Sequence, residues 1–369
     1  MPNTDYLLRS KPCTSDCDER RHKLKIVSVN KANRALLIVA AAALLSSSSC
    51  NLANNDKKPK KHREQSHFQY NRDWNRFPAI VDRHTQVQIV ALGDVHGGFE
   101  RLVNLLSIAG LIKPDSQTPP GYSWSGGSRL LVSVGDLIDK GDQSIAVLDL
   151  MMKLESQAPK GGGEVIVTCG NHEVEFLANP ENKKAREFAA ELRGKGIDPD
   201  TLPQNEKPYG EWLMNRPLAA RVNDWFFSHA GNTSGKKIDE LAESFRHDVS
   251  EGNWGSDFLI GDDSLVESEK WWKRKGDPAN LLDGYLGALN VRHIVFGHDP
   301  GAFHDKGQIG QEEDGRIFLI DVGMSPAIDY SKGELLIIET NGAEVLATSI
   351  NADGVKKELW RTPSSNPVK

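Results

Sequence analysis

The hydrophobic pattern places the start of the folded part of the chain near residue 87. The runs VQIVAL (87–92), RLLVSV (129–134) and EVIVT (164–168) are short, apolar and rich in β-branched residues, and each ends in a polar turn. Between them, residues 99–109 and 143–154 carry apolar side chains at helical spacing. The order strand, helix, strand, helix, strand predicts parallel strands joined by right-handed crossovers, with functional loops at their carboxyl ends.

A second group of strands follows a polar, helical stretch, residues 179–213, that contains no strand signal. We interpret that stretch as an insertion over a functional site. The later strands are predicted to form a second sheet and comprise residues 224–230, 292–298, 316–323 and 334–340. Asn341-Gly342 predicts a hairpin turn before EVLATSI. Two sheets with outer helices predict a layered α/β sandwich.

The amino-terminal region carries a targeting pattern. A basic stretch (residues 21–34) precedes an apolar run (35–45), small residues and Cys50, which is the order of a secretory signal. The apolar run is too short to cross a bilayer. Cys50 indicates a lipoprotein signal, although Ser47 stands where such signals favour leucine. We therefore expect an exported protein, periplasmic or attached to the membrane by a lipid on Cys50; the alternative is a cytoplasmic protein with a buried or frayed amino-terminal helix.

These patterns predict four parts of the chain. Residues 1–49 form a signal segment, and residues 50–84 form a polar, lysine-rich tether. Residues 85–350 form one folded domain that includes the insertion, and residues 351–369 form a carboxyl-terminal tail.

Charge and cysteine content exclude several classes of protein. The formal net charge of −6 over 369 residues gives no reason to expect a nucleic-acid partner, and we expect none. The four cysteines show no disulfide framework and no zinc-ribbon spacing. Any affinity for phosphate must therefore come from residues at one site and not from the overall charge of the protein.

Residues typical of metal ligands end each of five predicted strands. The first three strands end in GDVHGG, GDLIDKG and GNHE, and two later strands end in SHAG and FGH. Alternate residues at an extended strand end point the same way, so Asp94 and His96 can serve one ion, and a carboxylate such as that of Asp136 can bridge two. Mixed Asp, His and Asn ligation suits Mn, Fe or Zn.

Each motif alone has a structural interpretation. A GDxH sequence also occurs where an aspartate caps a helix, and a histidine in an apolar strand is more often a core residue. Five such motifs in this order, each ending a strand, favour a dinuclear site instead. Two ions about 3.5–4 Å apart lower the pKa of a shared water and stabilise the attacking and leaving oxygens.

The motif series resembles that of the calcineurin-like metallophosphoesterases, and within them the phosphoprotein phosphatase branch. WSGGSRLLVSVGDLIDKG, RVNDWFFSHAGN and IDVGMS resemble the Shewanella-like protein phosphatases. The resemblance spans residues 87–323 and implies a sandwich of two mixed β-sheets flanked by helices. It also implies hydrolysis of phosphate monoesters by attack of a hydroxide bound to two divalent metal ions.

The same resemblance implies a role for each motif residue. It assigns His172 as the general acid toward the leaving oxygen and Asp139 as the carboxylate that orients it. An imidazole next to a metal ligand, and not needed for ligation, is well placed for proton transfer. The resemblance assigns the first ion to Asp94, His96 and Asp136, and the second to Asp136, Asn171, His229 and His298.

The sequence departs from the family pattern at two arginines. Lys140 replaces the arginine of GDxxDRG, and Cys169 replaces the arginine that often precedes GNHE. A lysine offers a point charge where arginine offers a planar fork. We predict that Lys140 contacts the substrate phosphate, with Arg216 and Lys270 as further candidates.

The expected substrate is a phosphorylated protein or a small phosphoester. Asp299 follows His298 where many phosphodiesterase relatives have GHxH, which favours a monoesterase. Phosphotyrosine is as plausible as phosphoserine or phosphothreonine because the arginine pattern has changed. The alternatives are a nucleotide or dinucleoside polyphosphate hydrolase, and a non-enzymatic metal-binding pseudo-phosphatase.

Overall fold

The computed structural model describes residues 70–274, 276–303 and 305–362. The predicted signal segment and Cys50 lie outside these ranges. Within the described ranges, no helix combines the length and the apolar character needed to cross a membrane.

Most of the described strands are short, and those bearing the predicted motifs are almost completely buried. β2, β5, β8 and β9 have every residue buried, and β6 has all but its first. The described strands are β1 (Ile80–Arg83), β2 (Ile89–Leu92), β3 (Ile112–Pro114), β4 (Tyr122–Trp124), β5 (Leu130–Ser133), β6 (Glu164–Val167), β7 (Ala219–Val222), β8 (Trp225–Ser228), β9 (His293–Phe296), β10 (Gly310–Glu312), β11 (Ile317–Leu319), β12 (Glu334–Asn341), β13 (Glu344–Asn351) and β14 (Lys356–Arg361).

Helices connect these strands. The described α-helices are α1 (Phe99–Ile108), α2 (Ser144–Gln157), α3 (Asn171–Ala178), α4 (Arg186–Gly194), α5 (Tyr209–Met214), α6 (Ile238–Ser250), α7 (Asp257–Ile260) and α8 (Pro278–Leu289). The predicted insertion is helical: it holds α4, α5 and the 3₁₀ turns Lys183–Ala185 and Pro199–Gln204.

The described strands form two six-stranded mixed sheets and a small β3–β4 pair. The first sheet has the order β14-β13-β12-β2-β5-β6, and the second has the order β1-β7-β8-β9-β11-β10. β2, β5 and β6 are parallel neighbours, as predicted, so their carboxyl ends meet at one edge. β8 and β9 are parallel neighbours in the second sheet.

The predicted sheet membership of residues 334–340 is wrong. β12 pairs antiparallel with β2 in the first sheet, with Leu335 opposite Leu92 and Ile338 opposite Ile89. The predicted hairpin to β13 is present, with Asn341 opposite Glu344 and Gly342 at a φ of +64°. The apolar pattern predicted a buried strand but could not identify its neighbour, because burial is the same in either sheet.

The predicted tether extends too far toward the domain. β1 pairs with β7, so residues 80–83 belong to the second sheet. The buried guanidinium of Arg72 donates to five main-chain carbonyls, those of Phe77, Pro78, Met214, Asn215 and Arg216. Residues 70–84 are therefore part of the fold. The prediction failed because the composition of this stretch is polar.

The predicted tail is also wrong for residues 351–362. β14 pairs antiparallel with β13, with Ile350 opposite Lys356, and extends the first sheet. The residues of this edge strand are mostly exposed, so its sequence shows only a weak alternation of apolar and polar side chains.

Candidate dinuclear metal centre

The residues that follow β2, β5, β6, β8 and β9 converge on Asp136. One carboxylate oxygen of Asp136, Oδ2, lies 3.3 Å from Nε2 of His229 and 3.4 Å from Nε2 of His96. His96 follows a strand of the first sheet, whereas His229 follows a strand of the second. Asp136 therefore stands between the two sheets, where its carboxylate can be shared by two ions.

The other predicted ligands surround this carboxylate. Oδ2 of Asp94 lies 3.8 Å from Nε2 of His96, and Oδ1 of Asn171 lies 3.0 Å from Nε2 of His229. The main-chain N–H of His298 donates to both oxygens of Asp94 at 3.2 Å, and the His298 ring lies 5.1 Å from that of His229. The structure thus brings all six predicted ligands together.

Among the residues that the structure describes, two overlapping sets of ligand atoms are compact enough to hold an ion. The atoms of Asp94, Asp136 and His229 lie within 4.8 Å of one another, and so do those of His96, Asp136 and His172. Asp136 belongs to both sets. The second set includes His172, to which the resemblance assigns proton transfer rather than metal binding. The proton-transfer role of His172 therefore stays a prediction.

The two central histidines present Nε2 to the site. Nδ1 of His96 lies 3.1 Å from the carbonyl oxygen of Ile138, and Nδ1 of His229 lies 3.0 Å from that of Val134. A carbonyl only accepts, so Nδ1 carries a hydrogen in both rings. Nε2 is therefore the nitrogen that would bind a metal ion, and on His229 the ion would take the place of the second proton that the nearby carboxylates favour.

The site concentrates negative charge in a buried place. Burial, with the nearby carboxylate of Asp321, raises the pKa of Asp94, and burial raises the pKa of Asp321 to about 6. Burial opposes the charged imidazole of His229, but the carboxylates of Asp136 and Asp94 raise its pKa to about 10. Buried carboxylates beside nitrogen ligands fit bound divalent cations, whose charge compensates theirs.

Glu173 of the GNHE motif ties the loops after β5 and β6 together. Its carboxylate accepts from the main-chain N–H groups of Asp136 at 2.9 Å, Leu137 at 2.8 Å and Gly170 at 2.8 Å. A Cβ atom at Gly170 would lie 2.2 Å from Oδ1 of Asp136. The glycine of this motif is therefore required for the loops to approach, and Glu173 holds them there.

His172 and Asp139 lie side by side at the edge of the centre. Nδ1 of His172 is 3.3 Å from Oδ2 of Asp139. Oδ1 of Asp139 accepts from the main-chain N–H groups of Glu187 at 2.7 Å and Phe188 at 3.1 Å, in the first turn of α4. Burial alone would raise the pKa of Asp139, but His172 and these donors hold it below its usual value. The insertion thus fixes the carboxylate that faces His172.

The three predicted phosphate contacts have different surroundings. Nζ of Lys140 lies 3.0 Å from Nε2 of His96, directly at the centre. Lys270 is largely exposed, with its Nζ 3.8 Å from Oδ2 of Asp299, the residue after His298. Lys140 therefore contacts a predicted ligand, whereas Lys270 contacts only the residue next to one.

The prediction that Arg216 contacts phosphate is wrong. Its buried guanidinium donates to Oε1 of Glu155 at 2.9 Å and to the carbonyl of Trp212 at 2.8 Å, and it stacks on the Trp212 ring at 3.9 Å. These contacts engage it with α2 and α5. A buried, paired arginine and a ligand-binding arginine have the same sequence signature, so only the packing separates them.

Sequence reasoning missed Glu267 and Lys184. Nδ2 of Asn171 donates to Oε1 of Glu267 at 3.0 Å, and Nζ of Lys184 lies 2.5 Å from the same oxygen. Neither residue belongs to a motif. Asp321 was also missed as an individual residue, although it lies in the IDVGMS segment that carried part of the resemblance.

Several residues of the centre adopt a strained backbone. Positive φ angles of 46–72° occur at His96, Asp136, Asp139, Lys140 and His298. Non-glycine residues in this region cost about 1–3 kcal/mol each when strained, and they cluster at functional sites. The turns after the strands thus direct these side chains into the centre, and the strained backbone of those turns costs the fold stability.

Comparison with known proteins supports the family resemblance of the motifs. The family model for calcineurin-like phosphoesterases matches residues 87–302. Shewanella-like protein phosphatase 2 of Arabidopsis thaliana is 37% identical over 313 residues, covering 71% of this chain and 78% of that protein. Shewanella-like protein phosphatase 1 of Plasmodium berghei is 25% identical over 296 residues, covering 73% and 76%.

A solved structure shares the fold. The cold-active protein-tyrosine phosphatase of a psychrophilic Shewanella species aligns with a TM-score of 0.57 at 24% identity, over 75% of this chain and 82% of that one. The predicted sandwich of two mixed sheets is confirmed. The chain belongs to the calcineurin-like phosphoesterase family and is a metal-dependent phosphatase.

Proposed function

We propose that this phosphatase removes phosphate from phosphorylated proteins at a centre of two divalent ions, Mn, Fe or Zn. The two-ion proposal rests on the position of Asp136. One of its two carboxylate oxygens, Oδ2, faces histidines from both sheets. A phosphoprotein substrate is supported by the relatives, which are named protein phosphatases.

The ligand set divides into two groups that share Asp136. We assign Asp94, His96 and Asp136 to the first ion, and Asp136, Asn171, His229 and His298 to the second. Two such ions, when bound, supply a water of lowered pKa and stabilise negative charge on the phosphoryl oxygens. The main chain of Ile138 and Val134 holds His96 and His229 in the required orientation.

His172 is the proton donor in this proposal. The oxygen of water bonds to phosphorus, the ester P–O bond breaks, and the leaving oxygen takes a proton from Nε2 of His172. One proton of the attacking water stays on the phosphate, and the other restores His172. The products are inorganic phosphate and the free hydroxyl of the substrate. Asp139 orients the imidazole through its carboxylate, which lies 3.3 Å from Nδ1 of His172.

The test is a substrate panel on metal-loaded protein. With manganese, we expect hydrolysis of p-nitrophenyl phosphate and of phosphopeptides, with phosphotyrosine, phosphoserine and phosphothreonine peptides compared at equal concentration. Activity restricted to dinucleoside polyphosphates would overturn the substrate class. Two bound ions with no turnover of any phosphoester would overturn the catalytic role of the centre.

We also propose export and lipid attachment at Cys50, supported by the basic, apolar and small-residue order before it. Cys50→Ala should release the protein from the membrane fraction of its host or block its processing. Recovery of uncleaved full-length protein from the cytosol would overturn this proposal.

A further inference from the structure

Asn171 has a ligand oxygen on one side of its amide and a non-ligand nitrogen on the other. Oδ1 lies 3.0 Å from Nε2 of His229, while Nδ2 donates to Oε1 of Glu267 at 3.0 Å. Only the oxygen has lone pairs suited to a metal ion. The rotation of this one side chain therefore decides whether the second ion has its asparagine ligand.

Glu267 discriminates between the two orientations. An ionised carboxylate accepts hydrogen bonds and cannot donate them. Rotating the Asn171 amide by half a turn would place Oδ1 against the Glu267 carboxylate and lose the Nδ2 hydrogen bond. The side chain of Glu267 is only 12% exposed, so water offers little replacement for that bond.

Lys184 holds Glu267 in place. Its Nζ lies 2.5 Å from Oε1 of Glu267 and 3.5 Å from Oε1 of Glu175, a buried residue of α3. Since α3 also begins with Asn171, one ammonium joins Glu267 to the helix that carries the ligand. Lys184 belongs to the 3₁₀ turn Lys183–Ala185, so the insertion contacts both sides of the centre.

We propose that Glu267 and Lys184 are positioning residues that orient Oδ1 of Asn171 toward the second metal ion. This inference rests on the proposed two-ion site. Partners of metal ligands act in this way generally, and losing one weakens metal binding by about 10–100-fold.

The first experiment measures Mn²⁺ binding to chelator-stripped, full-length protein by calorimetry. Wild type should bind two ions. Glu267→Ala should weaken one of them by about 10–100-fold and leave the other unchanged, and Lys184→Met should act in the same direction with a smaller effect. Glu267→Gln keeps the size and one acceptor oxygen, so it should give an intermediate loss and serves if the alanine variant misfolds.

Matched controls lie next to both residues. Lys183 and Glu269 are exposed neighbours on the same segments, and Lys183→Met and Glu269→Gln should bind both ions like wild type. Wild-type binding of both ions by Glu267→Ala and Glu267→Gln would overturn the inference. Failure of wild type to bind two ions would instead overturn the proposed function.

A double-mutant cycle separates orientation from charge. An aspartate presents an oxygen whichever way it rotates, so Asn171→Asp should gain more Mn²⁺ affinity in the Glu267→Ala variant than in Glu267→Gln. Both variants are neutral at position 267 and repel the new carboxylate equally little, but only the glutamine keeps an acceptor that could orient the asparagine amide. Equal gains in both backgrounds would contradict an orienting role. A rise in KM for Lys184→Met without any change in Mn²⁺ affinity would assign Lys184 to the substrate phosphate instead.

Discussion

Nζ of Lys140 lies 3.0 Å from Nε2 of His96, a predicted ligand of the first metal ion. Lys140 occupies the motif position at which the family has arginine. The contact places a cation at the centre, within reach of a phosphate group bound there. A point charge can attract the phosphate but cannot orient it by two parallel hydrogen bonds.

Lys140→Ala should raise KM for p-nitrophenyl phosphate and weaken inhibition by inorganic phosphate. The expected change is about tenfold or more, because a hydrogen bond to a charged group contributes roughly 1.5–3 kcal/mol. If the contact strengthens as charge develops, kcat falls as well. Lys140→Arg should retain activity and bind phosphate more tightly. Should KM, kcat and phosphate inhibition all stay unchanged in Lys140→Ala, the phosphate-binding cation must be sought at Lys270.

His172→Ala should lower kcat by about 10²–10⁴ for an alkyl phosphate, the usual contribution of a positioned general acid. The loss should be smaller for p-nitrophenyl phosphate, because its leaving oxygen needs less protonation. Steady-state kinetics on both substrates provide the measurement, with metal content checked in parallel. Equal losses on the two substrates would argue that His172 holds phosphate or water, and lost metal would make it a ligand.

Asp136→Asn and Asp139→Asn should separate metal binding from proton transfer. Asp136 faces histidines of both sheets, so its variant should lose bound metal and activity together. Asp139 faces His172 and the start of α4, so its variant should lose activity but keep both ions. Elemental analysis beside kinetics tests this, and full metal occupancy with near-normal turnover in Asp136→Asn would refute the bridging role.

Arg72→Ala should destabilise the whole domain although Arg72 is remote from the predicted ligands in sequence. Its guanidinium satisfies five main-chain carbonyls that join residues 77–78 to residues 214–216. We expect a loss of about 3–5 kcal/mol in the free energy of unfolding, since buried acceptors would be left without donors. Denaturant titration measures it, with the exposed Arg76→Ala as a control that should change stability by less than about 0.5 kcal/mol.

Truncation tests where the folded domain begins. Removing residues 1–69 should leave a folded, active phosphatase, whereas removing residues 1–84 should not, because it deletes Arg72 and β1. Equal stability of the two truncated proteins would show that residues 70–84 contribute nothing to the fold.

The sequence alone determined the motif-bearing strands and the residues at their ends. Runs such as those of β2, β5 and β6 are apolar because nearly every residue is buried, and that signal is local. The chemistry at their ends is also local, since Asp94, Asp136 and Asn171 each follow a strand within a few residues. Parallel pairing then brings the ends together, so the composition of the centre could be predicted before its geometry.

Tertiary structure alone decided which elements are neighbours and how polar groups are paired. β12 joins β2 rather than the second sheet, because an apolar strand is buried equally well in either. Arg72 and Arg216 are buried because distant partners satisfy their donors, and Glu267 reaches Asn171 across 96 positions of sequence. Hydrophobic periodicity reports whether a side chain is buried, whereas the partner of a buried charge is fixed only when the two sheets have packed together.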